Sequence, residues 1–133
     1  MKRALTALAL LVLLGPALPL HAAAADGESV FKKNCAACHQ ANGKGIPGAF
    51  PPLAGSAFVV GPAQDPATVL LKGRGGMPDF SSSLDDADIA AVLTYVRSSW
   101  GNKADALTES QVAALRGEVQ AAEFTGGRMS NKH

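Results

Sequence analysis

Cysteine is almost missing from this chain: there are two in 133 residues, Cys35 and Cys38. They sit three positions apart, so a bond between them would tie nothing distant together, and no disulfide framework holds this chain. One-sided charge is missing too. Twelve basic side chains face eleven acidic ones, and without Lys2 and Arg3 the balance from residue 26 onward is −1. A chain so near neutrality lacks the basic field that nucleic-acid binding needs, so no nucleic-acid partner is expected. No dense positive cluster or basic amphipathic helix is present to hold a membrane surface. Alternating strand patterns and internal repeats are also absent, which leaves an all-α chain.

The N-terminus explains the one long apolar run. Lys2 and Arg3 precede Ala4 to Leu14, which is apolar apart from Thr6. Gly15, Pro16 and Pro19 then break the helix, and Ala22 to Ala25 supply small residues for cleavage. This is the layout of a secretory signal peptide over residues 1–25. As a membrane span the run is short of the roughly 20 residues needed, so no stable membrane insertion is expected. The expected location is the periplasm, and Lys-Arg is not a twin arginine, which points to ordinary export of an unfolded chain.

Helix signals follow at regular intervals. Gly27 to Asn34 reads as a short helix with Asp26 as its N-cap. Residues 41–62 read as loop, broken by Gly43, Gly45, Pro47, Gly48, Pro51, Pro52, Gly55 and Gly61. Asp65-Pro66 is expected to open a second helix and Gly73 to close it. Asp85 caps a third, whose Ile89, Val92, Leu93 and Val96 recur at i, i+3, i+4 and i+7; Gly101 is expected to end it. Thr108 and Gln111 form a capping box for a fourth, with Leu107 and Val112 at the positions of a hydrophobic staple. Its apolar face is thin (Val112, Leu115, Val119), so it is expected either to pack on the domain surface or to be loosely held. Nothing argues for order over residues 126–133. The division is therefore 1–25 signal peptide, 26–101 domain, 102–125 helical extension and 126–133 disordered tail.

A small domain without staples needs something else at its centre, and Cys35-Ala36-Ala37-Cys38-His39 supplies it. Two thiols one helical turn apart can each add to a vinyl group of a haem, giving two thioethers, and the adjacent His39 then lies under the iron. C-x-x-C-H is the signature of this covalent attachment. A zinc site would need a further thiol or imidazole, and after the signal peptide only His133 remains to give one. A thioredoxin-like dithiol would need a βαβ setting. The expected cofactor is one haem c, attached through Cys35 and Cys38. For the sixth iron ligand the candidates are Met77, Met129, His133 and the lysines. Met129 and His133 fall in the tail, whereas Met77 is framed by Gly75, Gly76 and Pro78. The metal ligands are therefore expected to be His39 and Met77, and a thioether opposite imidazole favours reduced iron.

Over roughly Asp26 to Gly101 the sequence resembles the class I monohaem cytochromes c. Gly27 and Phe31 look like the small-and-aromatic pair of that family's N-terminal helix, which crosses the last helix, here near Val92 and Tyr95. Pro51-Pro52-Leu53 resembles the Pro-x-Leu that follows the haem histidine. The resemblance implies that the Pro51 carbonyl accepts the hydrogen of His39 Nδ1 and that Leu53 packs on the haem. It also implies a class I cytochrome c fold, three core helices around the haem, with the C-terminal helix as an addition. Phe50-Pro51-Pro52-Leu53-Ala54-Gly55-Ser56, Gly76-Met77-Pro78-Asp79-Phe80 and the run Tyr95 to Asn102 are similar to cytochrome c domains serving periplasmic dehydrogenases, alcohol and related quinoprotein enzymes in particular.

The implied function is a single-electron carrier in a periplasmic electron-transfer chain, not an enzyme. Its partners would be redox proteins: a donor dehydrogenase and an acceptor oxidase or another cytochrome. Two alternatives differ in class. A haem subunit held in a dehydrogenase complex would use the extra helix to dock. An open-site haem enzyme or sensor would need Met77 off the iron and a distal acid or base, for which Asp79 is the one neighbour in sequence.

Overall fold

A computed structural model describes residues 25–130, with side chains through residue 126. The expected signal peptide, up to residue 24, and His133 lie outside the described residues. Six helices follow in order: α1 Gly27–Asn34, α2 Ala36–His39, α3 Ala57–Val60, α4 Gln64–Lys72, α5 Asp86–Ser98 and α6 Glu109–Ser130. No strand forms among the described residues; only isolated bridges pair Ile46 with Phe50 and Arg74 with Met77. The all-α expectation holds, with α1, α4 and α5 as the longer helices of the core and α6 as the addition.

Local chemistry sets the helix starts. Asp26 accepts from Glu28 N–H at 3.2 Å and from Ser29 Oγ at 2.7 Å, capping α1. Asp85 accepts from Asp88 N–H at 2.8 Å, capping α5. At α6 the capping box closes both ways: Gln111 N–H donates to Thr108 Oγ1 at 3.3 Å and Thr108 N–H to Gln111 Oε1 at 2.8 Å. Each cap satisfies amide groups that a helix start leaves without an intrahelical acceptor.

The core forms where α1 crosses α5. Gly27 lies directly against the backbone of Ala91, and a Cβ there would overlap the Ala91 carbonyl and come within 2.9 Å of Tyr95 Cβ. Glycine is what lets the two helices approach. Phe31 is fully buried in the crossing, its ring 5.5 Å from Tyr95 and 5.1 Å from Trp100. Ile89, Val92, Leu93 and Val96, the apolar stripe of α5, are all buried, together with Leu70 and Leu71 of α4.

Several boundaries differ from the expectation. Residues 41–62 are not all loop, because Ser56 Oγ accepts from Val59 N–H at 3.4 Å and starts the single turn α3. α4 begins at Gln64 after Ala63, so Asp65 is inside the helix and not its cap. Pro66 then falls at the third helical position, where a missing N–H costs nothing. α5 stops at Ser98, short of Gly101. There Ser99 Oγ donates to the Tyr95 carbonyl at 2.6 Å and Trp100 takes a left-handed φ of 55°, a side-chain bond that competes with the next helical turn.

Of the two states expected for α6, packing on the domain is the one observed: Leu107 and Val112 are buried, and Arg116 donates to Asp86 Oδ1 at 2.7 Å, to the Leu84 carbonyl at 2.9 Å and to the Ser81 carbonyl at 2.5 Å. Its backbone also continues to Ser130, so residues 126–130 are helical and not a disordered tail. Gly126 and Gly127 each cost only about 1 kcal/mol relative to alanine, and no proline stops the helix.

Candidate haem centre

α1 runs almost directly into α2, with Cys35 at the junction in a non-helical conformation. The backbone then turns once: Cys38 N–H and His39 N–H both donate to the Cys35 carbonyl, at 3.1 and 2.9 Å. That single turn brings Cys35, Cys38 and His39 together. Both thiols are free and half-buried. Burial pushes the Cys35 thiol up to about 11, with the neighbouring Cys38 adding to the effect. A thiol so weakly acidic stays protonated at neutral pH, the opposite of the low-pKa dithiols that exchange disulfides. Among the described residues no group of three or more His, Cys, Asp or Glu side chains is arranged to hold a metal ion by itself.

The His39 ring is buried, and its Nδ1 lies 2.9 Å from the Pro51 carbonyl. A carbonyl only accepts, so Nδ1 carries the proton and Nε2 keeps its lone pair for a metal. The Pro51 carbonyl is itself held in a tight loop. Gly45, at φ +64°, donates its N–H to the His39 carbonyl at 2.9 Å, and a Cβ on it would come within 2.6 Å of the Pro51 oxygen. Leu53 N–H and Ala54 N–H both donate to the Gly43 carbonyl, at 2.7 and 2.9 Å.

Met77 stands on a separate loop. Arg74 and Met77 exchange two backbone hydrogen bonds of 3.0 Å, closing a two-residue turn through Gly75 and Gly76. Met77 is half-buried and packs against the core, as do Cys35, Leu53 and Phe80. The Arg74 guanidinium lies 4.9 Å from the centroid of the Phe58 ring, a cation–π contact between this loop and α3. Lys32 is paired with Glu28 at 2.7 Å on an exposed face, so it is a solvated charge and not a ligand.

The residues present fit a large apolar prosthetic group. Ile46, Phe50, Phe58 and Val60, all between His39 and Met77 in sequence, are 37–42% exposed although each is large and apolar. Such a concentration on one segment marks a binding surface. Beside it stand two free thiols and an imidazole whose Nδ1 faces the Pro51 carbonyl, the donor set that haem c requires.

Three residues bear on this loop: Trp100, which reads from sequence as a cover for the core, and Arg97 and Asn102, to which the sequence assigns no role. Arg97 is buried and donates to the carbonyls of Val59 at 2.6 Å, Gly61 at 2.9 Å and Asp105 at 2.9 Å. Asn102 is buried against residues 53–55. Trp100 donates from Nε1 to the Ala41 carbonyl at 3.1 Å, besides covering Phe31. Position in the run from Tyr95 to Asn102 was the only signal for them.

Comparison with known proteins agrees with this chemistry. Residues 22–96 match the family model described as cytochrome C oxidase, cbb3-type, subunit III. Cytochrome c-552 of Thermus thermophilus is 42% identical over 118 residues, covering 77% of this chain and 74% of that protein. The alcohol dehydrogenase (quinone) cytochrome c subunit of Gluconacetobacter polyoxogenes is 36% identical over 109 residues, 71% of this chain but 23% of that subunit. The chain thus spans about a quarter of the dehydrogenase subunits it matches. A cbb3-type cytochrome c oxidase subunit CcoP of Azospirillum brasilense is 37% identical over 89 residues, 62% of this chain and 30% of that subunit. The chain therefore belongs to the family described as cytochrome C oxidase, cbb3-type, subunit III: it is a cytochrome c with covalently bound haem c.

Proposed function

We propose that this protein is a single-electron carrier with one six-coordinate haem, held by thioethers from Cys35 and Cys38 and ligated by His39 and Met77. The observation that carries this reading is the His39 ring, on the same turn as both thiols and fixed through Nδ1 by the Pro51 carbonyl at 2.9 Å. Haem c supplies an iron that gains and loses one electron. The chain's own residues do the rest. Cys35 and Cys38 would anchor the group, Pro51 sets the His39 tautomer, and the Arg74–Met77 turn would supply a thioether. Ile46, Phe50, Leu53, Phe58 and Val60 exclude water. With His39 and Met77 both holding the iron no position would be left for a substrate, so the role would be transfer and not catalysis.

The sequence places this function outside the cytoplasm, with residues 1–25 as an export signal and residues 26–101 as the haem domain. Redox proteins are then its partners, a dehydrogenase as donor and an oxidase or another cytochrome as acceptor. A second reading is favoured by the likeness to quinone alcohol dehydrogenase cytochrome subunits: the chain is held in such a complex, with the exposed side of α6 as the docking element.

The test of the ligand set is Met77→Ala in the exported holoprotein. Haem should stay attached, the sulfur-to-iron charge-transfer band of the oxidised form should vanish, the reduction potential should fall, and added imidazole should bind. An unchanged band and potential would show that another residue is the sixth ligand.

A further inference from the structure

Asn102 lies in the turn after α5 and is 5% exposed. A buried amide is costly unless its polar atoms find partners, and here all the hydrogen bonds go to backbone. Its Oδ1 accepts from Gly55 N–H at 2.8 Å; its Nδ2 donates to the Leu53 carbonyl at 3.1 Å and to the Val96 carbonyl at 2.9 Å. One side chain thus joins residues 53–55 to the last turn of α5, across 47 and 49 positions of sequence.

Pro51 lies two residues before the clamped Leu53. On its other side Gly45 ties to the His39 carbonyl, and Gly43 accepts from Leu53 and Ala54. Trp100, two residues before Asn102, holds the start of the same loop through Ala41. The Pro51 carbonyl is therefore suspended between fixed points, and Asn102 is the one that attaches residues 53–55, next to it in the chain, to α5.

We propose that Asn102 is a positioning residue for the haem ligand: by clamping residues 53–55 to α5 it holds the Pro51 carbonyl at His39 Nδ1. This rests on the reading of His39 as the iron ligand. The hydrogen bond to Nδ1 fixes the ring and raises its basicity, so the clamp acts on iron without touching it. Asn102 also limits loop movement when the iron changes charge, which keeps reorganisation small.

The test uses reduced holoprotein and follows exchange of the His39 Nδ1 proton with deuterated water by NMR, alongside the reduction potential. Asn102→Ala removes the clamp. Asn102→Asp keeps the acceptor for Gly55 N–H and loses both donors, so it covers the case in which the alanine variant does not accumulate. Val112→Ala, buried in α6 away from this loop, is the control for lost stability alone. Exchange should be at least about tenfold faster in the Asn102 variants than in the parent or the control, equivalent to about 1.4 kcal/mol. Their potentials should shift while that of Val112→Ala does not. Unchanged exchange in both Asn102 variants, or equal acceleration in Val112→Ala, overturns the proposal. If the His39 ring protons of the parent lack the large ring-current shift of an imidazole beneath haem, the ligand assignment itself falls, whatever the variants do.

Discussion

Val112→Ala separates the stability of this protein from its redox chemistry. Val112 is fully buried, at the fourth position of α6, where it meets Leu107 as the second half of the hydrophobic staple. Truncation to alanine removes two methyl-sized groups, about 1.6 kcal/mol of transfer free energy at ~0.8 kcal/mol each. The cavity left behind adds to this, because the surrounding side chains relax only partly. Alanine is the better helix former by roughly 0.5 kcal/mol, which offsets part of the loss. The net expectation is about 2 kcal/mol, or a melting temperature lower by roughly 8 °C or more for a domain of this size. Among the described residues α6 packs on α4 and α5 and not on α1, α2 or α3, so the haem turn should not register the change. Denaturant unfolding followed by circular dichroism reads the first quantity and potentiometric titration the second. A loss below about 0.5 kcal/mol would mean that α6 is not docked through Val112. A shifted potential would mean that the extension belongs to the haem envelope, refuting the separation.

Arg116→Ala should cost about 1–2 kcal/mol, since a largely buried guanidinium loses Asp86 and two carbonyl acceptors; thermal melts check this, and an unchanged midpoint would show the fork to be a bystander. Cys35→Ser and Cys38→Ser should each leave one thioether, and the double variant none; denaturing gel electrophoresis with haem staining reads this directly, and retained stain in the double variant would refute the attachment. Electron transfer to a physiological partner should slow only modestly between low and physiological ionic strength, because a chain near neutrality gives a weak steering field. Stopped-flow rates test it, and a steep fall would mean that Lys32, Lys33, Lys44, Lys72 and Arg74 converge into one patch.

Residues only a few positions apart set the local features of this chain. The caps of α1, α5 and α6 each involve side chains and amides within three residues, so Asp26, Asp85 and Thr108 are legible without any structure. The apolar stripe of α5 is a matter of helical period, and the two thiols beside a histidine are a matter of spacing. Tertiary structure decided the rest. Whether α6 docks depends on Arg116 finding Asp86, 30 positions away. The turn α3 is held from outside by Arg97, through bonds spanning 36 and 38 positions. The start of α4 is not legible locally, because Asp65-Pro66 suits a cap and an interior first turn equally well, and only the packing of Pro66 and Ala67 into the core chooses between them. Asn102 shows the limit most plainly. An asparagine after a glycine reads as turn chemistry, and nothing local reveals that its amide reaches Leu53, Gly55 and Val96. Hydrogen bonds of that span exist only once the helices have packed, because the backbone groups they satisfy are brought to them by the fold.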